Sequence, residues 1–585
     1  MFLMTLALGV SMAIGPEAAP PPPQAKLGIV ITEPGVVSYG DIGVSVDPVV
    51  GGSRSHGYVE YRVTVVNRGA QRAHSVRLTI PDYSRGIQEV SRTMAVAASS
   101  SVIVSVFVPV MPIYGGGLGV TIDGERQDTV VPILYVSAGE NRPCVLFSQS
   151  AQKKGTFANT VTTPPTPAPF SSFPAGAPLT AWSTSWLGYS TFDGIVVTED
   201  DMRGMPADVS AALQGYVDCG GTLLILGNWK IPESWGLRQK ERVSIPTYCA
   251  GFGEYLVTDQ YPSQFSSTDL KYLQDVLNES KSPYQDSRTL DAGQANSIFP
   301  VVDKLNVPVR GLFLLMLLFV IVIGPLNLFV LSRKKKKIWL LWTVPAISLI
   351  TCVAVSGYTL FSEGWSSKSR TAALTVLDET SHHATTIGWS AFYCPLTPGD
   401  GLHYGYETEL TAEIGAFYSY GGGQGGTNRT MDWTEDQHLE GWITARVPAH
   451  FKVRKSELRR ERMTLSMGQD GSLAIVNGLG ADVSELWLAN WDGKVYRANN
   501  ILAGAYGILI PQPNIRAVGV AGGLRTAFSV SEWFDFSLWT RTPLTFLVPG
   551  SYIAVLKSSP FVEQGLRDAG SRKSEAVVYG LMKKD

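Results

Sequence analysis

Two uncharged apolar runs and the basic turn between them constrain this chain more than any other feature. Gly311–Leu331 reads GLFLLMLLFVIVIGPLNLFVL, Ser332–Lys337 reads SRKKKK, and Ile338–Phe361 reads IWLLWTVPAISLITCVAVSGYTLF. At about 1.5 Å per residue, each run is as long as the ~20 residues needed to span ~30 Å of hydrocarbon. Backbone groups in lipid must be paired within their own segment, so the two runs predict two helices, 311–331 and 338–361. The turn is too short to be a domain and holds the consecutive cations Arg333, Lys334, Lys335, Lys336 and Lys337. Such a loop stays on the cytoplasmic side. The sequence therefore predicts a hairpin over 309–361 with both long flanks on the opposite side of the membrane.

The interior of this hairpin holds two matched pairs. Pro325 and Pro345 stand about equally far from the basic turn, as do Asn327 and Thr343. An amide in lipid seeks a partner, and such bonds contribute about 0.6–2 kcal/mol. The expectation is that Asn327 bonds near Thr343 and sets the register at paired kinks. Neither span contains an acidic residue, and two helices enclose no pore, which argues against a transport role for Asn327.

The 585 residues call for several domains, and 45% apolar with 17% charged residues is a globular composition. A net charge of −2, with one dense basic run, gives no sign of a nucleic-acid partner. Five cysteines in so long a chain are not a disulfide scaffold. One bridge among Cys144, Cys219, Cys249 and Cys394 remains open, and the sequence does not pair them. The N-terminus fits export: Phe2–Ile14 has the length of a signal-peptide core, and Ser11-Met12-Ala13 offers small residues for cleavage, although no cation precedes the run. Residues 1–15 are read as a signal peptide or an uncleaved anchor. Residues 16–26 form a stiff proline-rich spacer.

Residues 27–138 carry the period of strands. Tyr61, Val63 and Val65 alternate with polar residues, as do Val76, Leu78 and Ile80, and Val102–Val108 repeats the pattern. With turn residues between these runs, the expectation is a β-sandwich of about seven strands. VEYRVTVVNRG followed by SVRLTIPD resembles, in architecture, the immunoglobulin-like modules of bacterial surfaces.

Residues 139–304 alternate strand and helix: Cys144–Phe147, Asp193–Thr198 and Thr222–Gly227 read as strands, and Pro206–Asp218 and Ser267–Asn278 as helices. That order predicts a parallel sheet. FDGIVVTEDDM and ALQGYVDCGGTLLILG resemble the flavodoxin-like, class I glutamine-amidotransferase-like domains of exported bacterial proteins. Activity in that family needs a cysteine on a strand-to-helix elbow, with His and Glu. Here Cys219 ends a helix and Cys249 runs into a strand. No histidine occurs between His74 and His382, so the domain has no imidazole of its own to make a thiolate. The domain is read as non-catalytic. An alternative is a hydrolase using Glu199, Asp200 and Asp201, which follow a strand at the sheet edge where α/β sites occur.

VIVIGPLNLFVLSRKKKKIWLLWTVPAIS resembles a group of uncharacterised bacterial membrane proteins. In that group a similar helical hairpin joins an outer sandwich-plus-amidotransferase-like region to a second β domain. The resemblance implies a bacterial envelope location and no activity; with the two spans and the basic turn, the expected location is the cell inner membrane, multi-pass, with both large regions extracytoplasmic.

Residues 365–585 are again β-rich, with strands expected at Ala372–Asp378, Ile387–Tyr393, Leu473–Asn477, Glu485–Ala489 and Tyr552–Leu556, and a short helix at Phe561–Leu566. The glycine loop Gly421–Gly426 lacks a following Lys-Ser/Thr and is read as flexible. His382, His383, Cys394 and His403 are metal-ligand types at a spacing that matches no standard zinc pattern. No cofactor or metal is expected. The fold class is thus multidomain α/β and all-β: immunoglobulin-like sandwich, flavodoxin-like domain, transmembrane hairpin, C-terminal β-sandwich. The functional reading is a non-enzymatic envelope membrane protein that binds protein partners. The alternatives are an accessory subunit of an ABC-type or AAA-ATPase-linked membrane complex, and the exported hydrolase.

Overall fold

The computed structural model describes residues 35–583 except 48–55, 82–86, 110–116, 134–141, 156, 158–169, 233–234, 236, 241–242, 282–291, 303–308, 335–336, 364–365, 414–428, 468–472 and 518–546. The expected export segment (1–15), the proline-rich spacer, the glycine loop and Lys335–Lys336 lie outside the described residues. The protein is mostly β and multidomain.

The alternating runs of the N-terminal part become strands with one face buried, as period-2 patterning requires. Tyr58–Asn67 pairs antiparallel with Ile42–Val46 and Ser100–Pro109 in a four-stranded sheet, and Val63, Val65 and Val106 are fully buried. The facing sheet holds His74–Pro81, Ile87–Val96 and Gly117–Ile122, with Val76, Leu78 and Ile80 buried against the first. This second sheet does not end within the N-terminal part. Ile87–Val96 takes Arg429–Asp432 as a parallel neighbour, and the sheet continues through Gln437–Glu440 to Leu402–Tyr404 at its edge. Strands from beyond the helix pair thus complete the N-terminal sandwich.

Side chains reinforce that join. Trp433 is fully buried, donates from Nε1 to the Phe107 carbonyl (2.8 Å) and packs edge-on against Tyr58 and Phe107. The Tyr58 hydroxyl donates to the Leu410 carbonyl (3.0 Å) and accepts from the Leu410 amide and the Gln437 side chain. Burial pushes the Tyr58 hydroxyl well above its ordinary range, against the Leu410 and Gln437 hydrogen bonds, which lower it. One apolar core runs through both halves, from Val44 and Val63 to Trp433 and Phe451.

Residues 144–258 form a seven-stranded sheet. Ser171–Pro174, Cys144–Phe147, Gly194–Thr198, Thr222–Leu226 and Gly253–Thr258 lie parallel in that spatial order, followed by two antiparallel strands, Thr247–Ala250 and Arg238–Gln239. The central strands are buried on both faces, as parallel strands covered by helices must be. Helices Ala207–Asp218 and Ser267–Lys281 supply apolar stripes that include Val209, Leu213 and Val217, and Leu273, Val276 and Leu277.

Strand Lys368–Asp378 begins close behind the helix pair and lies centrally in a nine-stranded sheet. It pairs with His383–Tyr393 antiparallel and with Ser571–Leu581 parallel. The helix expected at 561–566 does not form. The segment is turn with an isolated bridge from His403 to Gly565, which sits at φ +67°, where a right-handed helix cannot continue.

Candidate functional site

The helix pair carries the matched residues. Val309–Ile321 is α-helical, Val322–Leu326 is a π turn, and Asn327–Arg333 is α-helical again. Lys337–Trp339 is a short 3₁₀ segment, and Leu340–Glu363 is the return helix. The π turn falls on Pro325, whose missing N–H removes a rung from the ladder; the wider turn absorbs the break. The Asn327 amide nitrogen then bonds back to the Val322 carbonyl. Among the described side chains from Met316 to Arg333, only Asn327 and Leu331 are buried, one helical turn apart. Asn327 donates from Nδ2 to Thr343 Oγ1 at 2.9 Å. Pro325 precedes Asn327 by two residues and Pro345 follows Thr343 by two, so in an antiparallel pair the two prolines stand level.

The rest of the helix surface is apolar and open. Met316–Arg333 has a mean hydropathy of 2.1 and is 11% buried, and it is the one helix among the described residues long and apolar enough to cross a membrane. The return helix contributes a shorter apolar stretch, Leu340–Val355. Phe313, Leu314, Phe329, Leu341, Trp342 and Leu349 are each more than 60% exposed, far beyond the scattered apolar exposure of an ordinary surface.

Both feet of the pair rest on the same nine-stranded sheet. On the entry side Phe299 is buried beside Trp389 and His450. The His450 Nε2 lies 2.9 Å from the Phe299 carbonyl, and Arg370 stacks on the Phe299 ring while bonding the Pro300 carbonyl (3.1 Å). On the exit side the next strand in the chain is Lys368–Asp378, of the same sheet. Arg370 therefore joins the two feet.

At the carboxyl edge of the parallel sheet, Glu199, Asp200 and Asp201 open a short helix, Glu199–Gly204. Asp201 is buried. Its carboxylate accepts the Thr198 N–H (2.9 Å) in a capping box and also accepts the Ser148 hydroxyl. Glu199 accepts the Asn228 N–H (3.0 Å) and pairs with Arg203. Asp200 points outward, with a side chain 80% exposed. Two of the three carboxylates are thus committed to the fold.

All five cysteines are thiols. Cys219 caps the Ala207–Asp218 helix in full burial, which pushes its thiol well above the usual range. Its carbonyl accepts Arg454 Nη1 (3.1 Å), and Arg454, paired with buried Glu409, also stacks on Trp186. Cys249 lies in an antiparallel strand opposite Glu254.

Imidazoles do reach this α/β region, from outside it. His56 of the sandwich meets Asp193 at 2.8 Å in full burial, and Asp193 also accepts the Cys144 N–H (2.7 Å). His383 of the nine-stranded sheet places Nδ1 3.8 Å from Asp218. Burial raises the Asp218 carboxyl to about 8, helped by Asp378, and burial lowers His383. These contacts join sequence-distant segments, so no local pattern announced them. Of the metal-ligand types singled out from the sequence, His382, His383 and Cys394 are not brought together with His403. His403 instead meets His438 and Asp400.

A cleft of about 220 Å³ lies between the sandwich and the α/β sheet, lined by Glu60, Arg62, Trp182, Tyr189 and Phe192 among others. Arg62 is spent on the Ala181 and Trp182 carbonyls, and Glu60 accepts the Ser105 hydroxyl.

No family model matches this chain, and no curated protein is significantly similar to it.

Proposed function

We propose that this chain is a non-enzymatic integral membrane protein of a bacterial envelope. One woven β-rich body, including a flavodoxin-like layer, is held outside the cytoplasm on a two-helix hairpin and works by binding other envelope components. The observation that carries the reading is the exposed apolar helix pair, closed by a basic turn and emerging from a single sheet. A surface of that kind is covered by lipid or by other helices. The pairing of Arg429–Asp432 with Ile87–Ser91 supports a hairpin whose two flanks lie on one side of the membrane. This argument does not use the charge of the turn, and it agrees with the charge rule.

The spatial order of the parallel strands, second-first-third-fourth-fifth, is that of a flavodoxin-like sheet, whose ligand crevice lies between the first and third strands. That place is occupied by the Ser148–Asp201 contact, in keeping with a domain kept for structure and recognition.

Topology is tested with single cysteines in a cysteine-free background, labelled by a membrane-impermeant maleimide on intact spheroplasts. Glu125→Cys and Lys557→Cys are expected to react, and Ser332→Cys only after permeabilisation. Labelling of Ser332→Cys in intact spheroplasts, or of only one of the outer pair, overturns the reading.

A further inference from the structure

We infer that Asp400, His403 and His438 form a binding site for one divalent transition-metal ion of the zinc class. His403 and His438 are directly opposite each other on the antiparallel strands Leu402–Tyr404 and Gln437–Glu440. Cross-strand partners stand close enough for their side chains to act together. The two rings are parallel, 4.5 Å apart between centroids and inclined by 11°. Each Nε2 lies 3.0 Å from the Asp400 carbonyl oxygen. Asp400 Oδ1 is 3.3 Å from His403 Nε2. One nitrogen from each ring and one carboxylate oxygen all lie within 4.8 Å of one another.

Oxygen atoms surround the His403 ring. His403 Nδ1 sits 2.8 Å from Asp436 Oδ2. Nε2, on the other side of the ring, faces the carbonyl oxygen of Asp400 at 3.0 Å and its Oδ1 at 3.3 Å. A cation at that point would meet ring nitrogen, carboxylate and carbonyl oxygen together. Arg567 does not fill it, since its guanidinium approaches from the side, Nη1 3.4 Å from Asp400 Oδ2 and Nη2 3.3 Å from His403 Nδ1. A carboxylate holding the far nitrogen of a ligating histidine is the usual outer support of such sites; it fixes the tautomer and raises the basicity of the ligand.

Geometry fits the same class. Ligand atoms about 2.0–2.1 Å from a tetrahedral ion lie roughly 3.3–3.4 Å apart. The His403–Asp400 separation is already at that value, while the stacked His438 ring must turn to aim a nitrogen at the same point. Two imidazoles with one carboxylate suit zinc, nickel or copper over calcium or magnesium, which prefer an all-oxygen shell. The backbone is shaped for the approach. Gly401 has φ +61°, and a Cβ there would lie 2.4 Å from the Leu439 carbonyl and 3.0 Å from His438 Nε2. The site clips an edge strand of the sandwich sheet to the turn before it, next to the 563–567 segment, whose Gly565 carbonyl accepts the His403 N–H (2.9 Å).

The test uses the full-length chain, purified, stripped with chelator, and titrated with Zn²⁺ alone by calorimetry. The expected result is one ion per chain, a higher melting temperature with zinc, and a four-coordinate visible spectrum when Co²⁺ replaces it. His438→Gln is expected to lose at least 100-fold in affinity. Asp436→Asn, which keeps all three ligands and alters only the support behind His403, is expected to lose 10–100-fold. His382→Gln serves as the control for adventitious imidazole binding and should change nothing. Circular dichroism of each variant without metal separates loss of the site from loss of the fold. Absence of a one-to-one ion in the wild type overturns the inference, as does zinc binding that His438→Gln leaves intact or that His382→Gln abolishes.

Discussion

Asp218→Asn isolates the buried carboxyl that faces the nine-stranded sheet. The folded protein holds the Asp218 proton up to about pH 8, because burial penalises the charged form and Asp378 stands nearby. In the unfolded chain the same group titrates near 3.9. Folded protein therefore binds a proton that unfolded chain releases throughout the interval between these values. Stability from this group is complete below about pH 4 and is lost as pH rises through the folded value. The slope approaches about 1.4 kcal/mol per pH unit, so about 4 kcal/mol separates pH 5 from pH 8 as an upper bound, and half of that is a realistic expectation. His383, 3.8 Å away, works in the opposite sense, since burial lowers it and its contribution is lost as pH falls below the unfolded value near 6.5. Both proteins carry His383, so the comparison is made as a difference. Chemical unfolding of wild type and Asp218→Asn, followed by tryptophan fluorescence from pH 5 to pH 8, should show the variant gaining on the wild type by about 2–4 kcal/mol. Parallel pH profiles would refute the reasoning, because they would mean that Asp218 is ionised in the folded protein.

Further expectations concern the joins. Asn327→Leu and Thr343→Val should each lower thermal stability in detergent by about 0.6–2 kcal/mol, and the double variant should cost little more than either alone, since one bond links the two side chains. Arg454→Met should cost about 3–5 kcal/mol by stranding buried Glu409, and restoring neutrality with Glu409→Gln should recover part of it in a double-mutant cycle. Gly57→Ala should destabilise by at least about 1–3 kcal/mol in a thermal melt, because Gly57 has φ +80° and a Cβ there would lie 2.4 Å from the Ser190 carbonyl.

Local patterns carried the elements well. Alternation at Tyr61, Val63 and Val65 and at Val76, Leu78 and Ile80 marks strands whose inward residues are buried. The stripe Val209, Leu213 and Val217 with Pro206 before it marks a helix that spans Ala207–Asp218. The acids at 199–201, expected only as a group following a strand, open a short helix that Thr198 and Asp201 close with a capping box. What stayed hidden was pairing at long range. Strand Arg429–Asp432 is short, and nothing in RTMD says that it lies beside Ile87–Ser91, because register between remote strands is set by the shared core and not by either strand. For the same reason His403 looked like a companion of His382 and Cys394 in sequence. Its true neighbour, His438, is reached only across a strand pair. The π turn at Pro325 was also not anticipated, since proline signals a break in the ladder and not how the helix heals it.

The strand that crosses from one half to the other also sets a clock. Ser91 and Asp432 are hydrogen-bonded partners separated by 341 residues. At about 5–20 residues per second of synthesis, the edge of Ile87–Val96 waits roughly 20–70 s for its outer neighbour. Through that interval a row of unpaired backbone groups is exposed, the arrangement that recruits foreign strands. The two halves made as separate polypeptides should accordingly be soluble only when they are produced together.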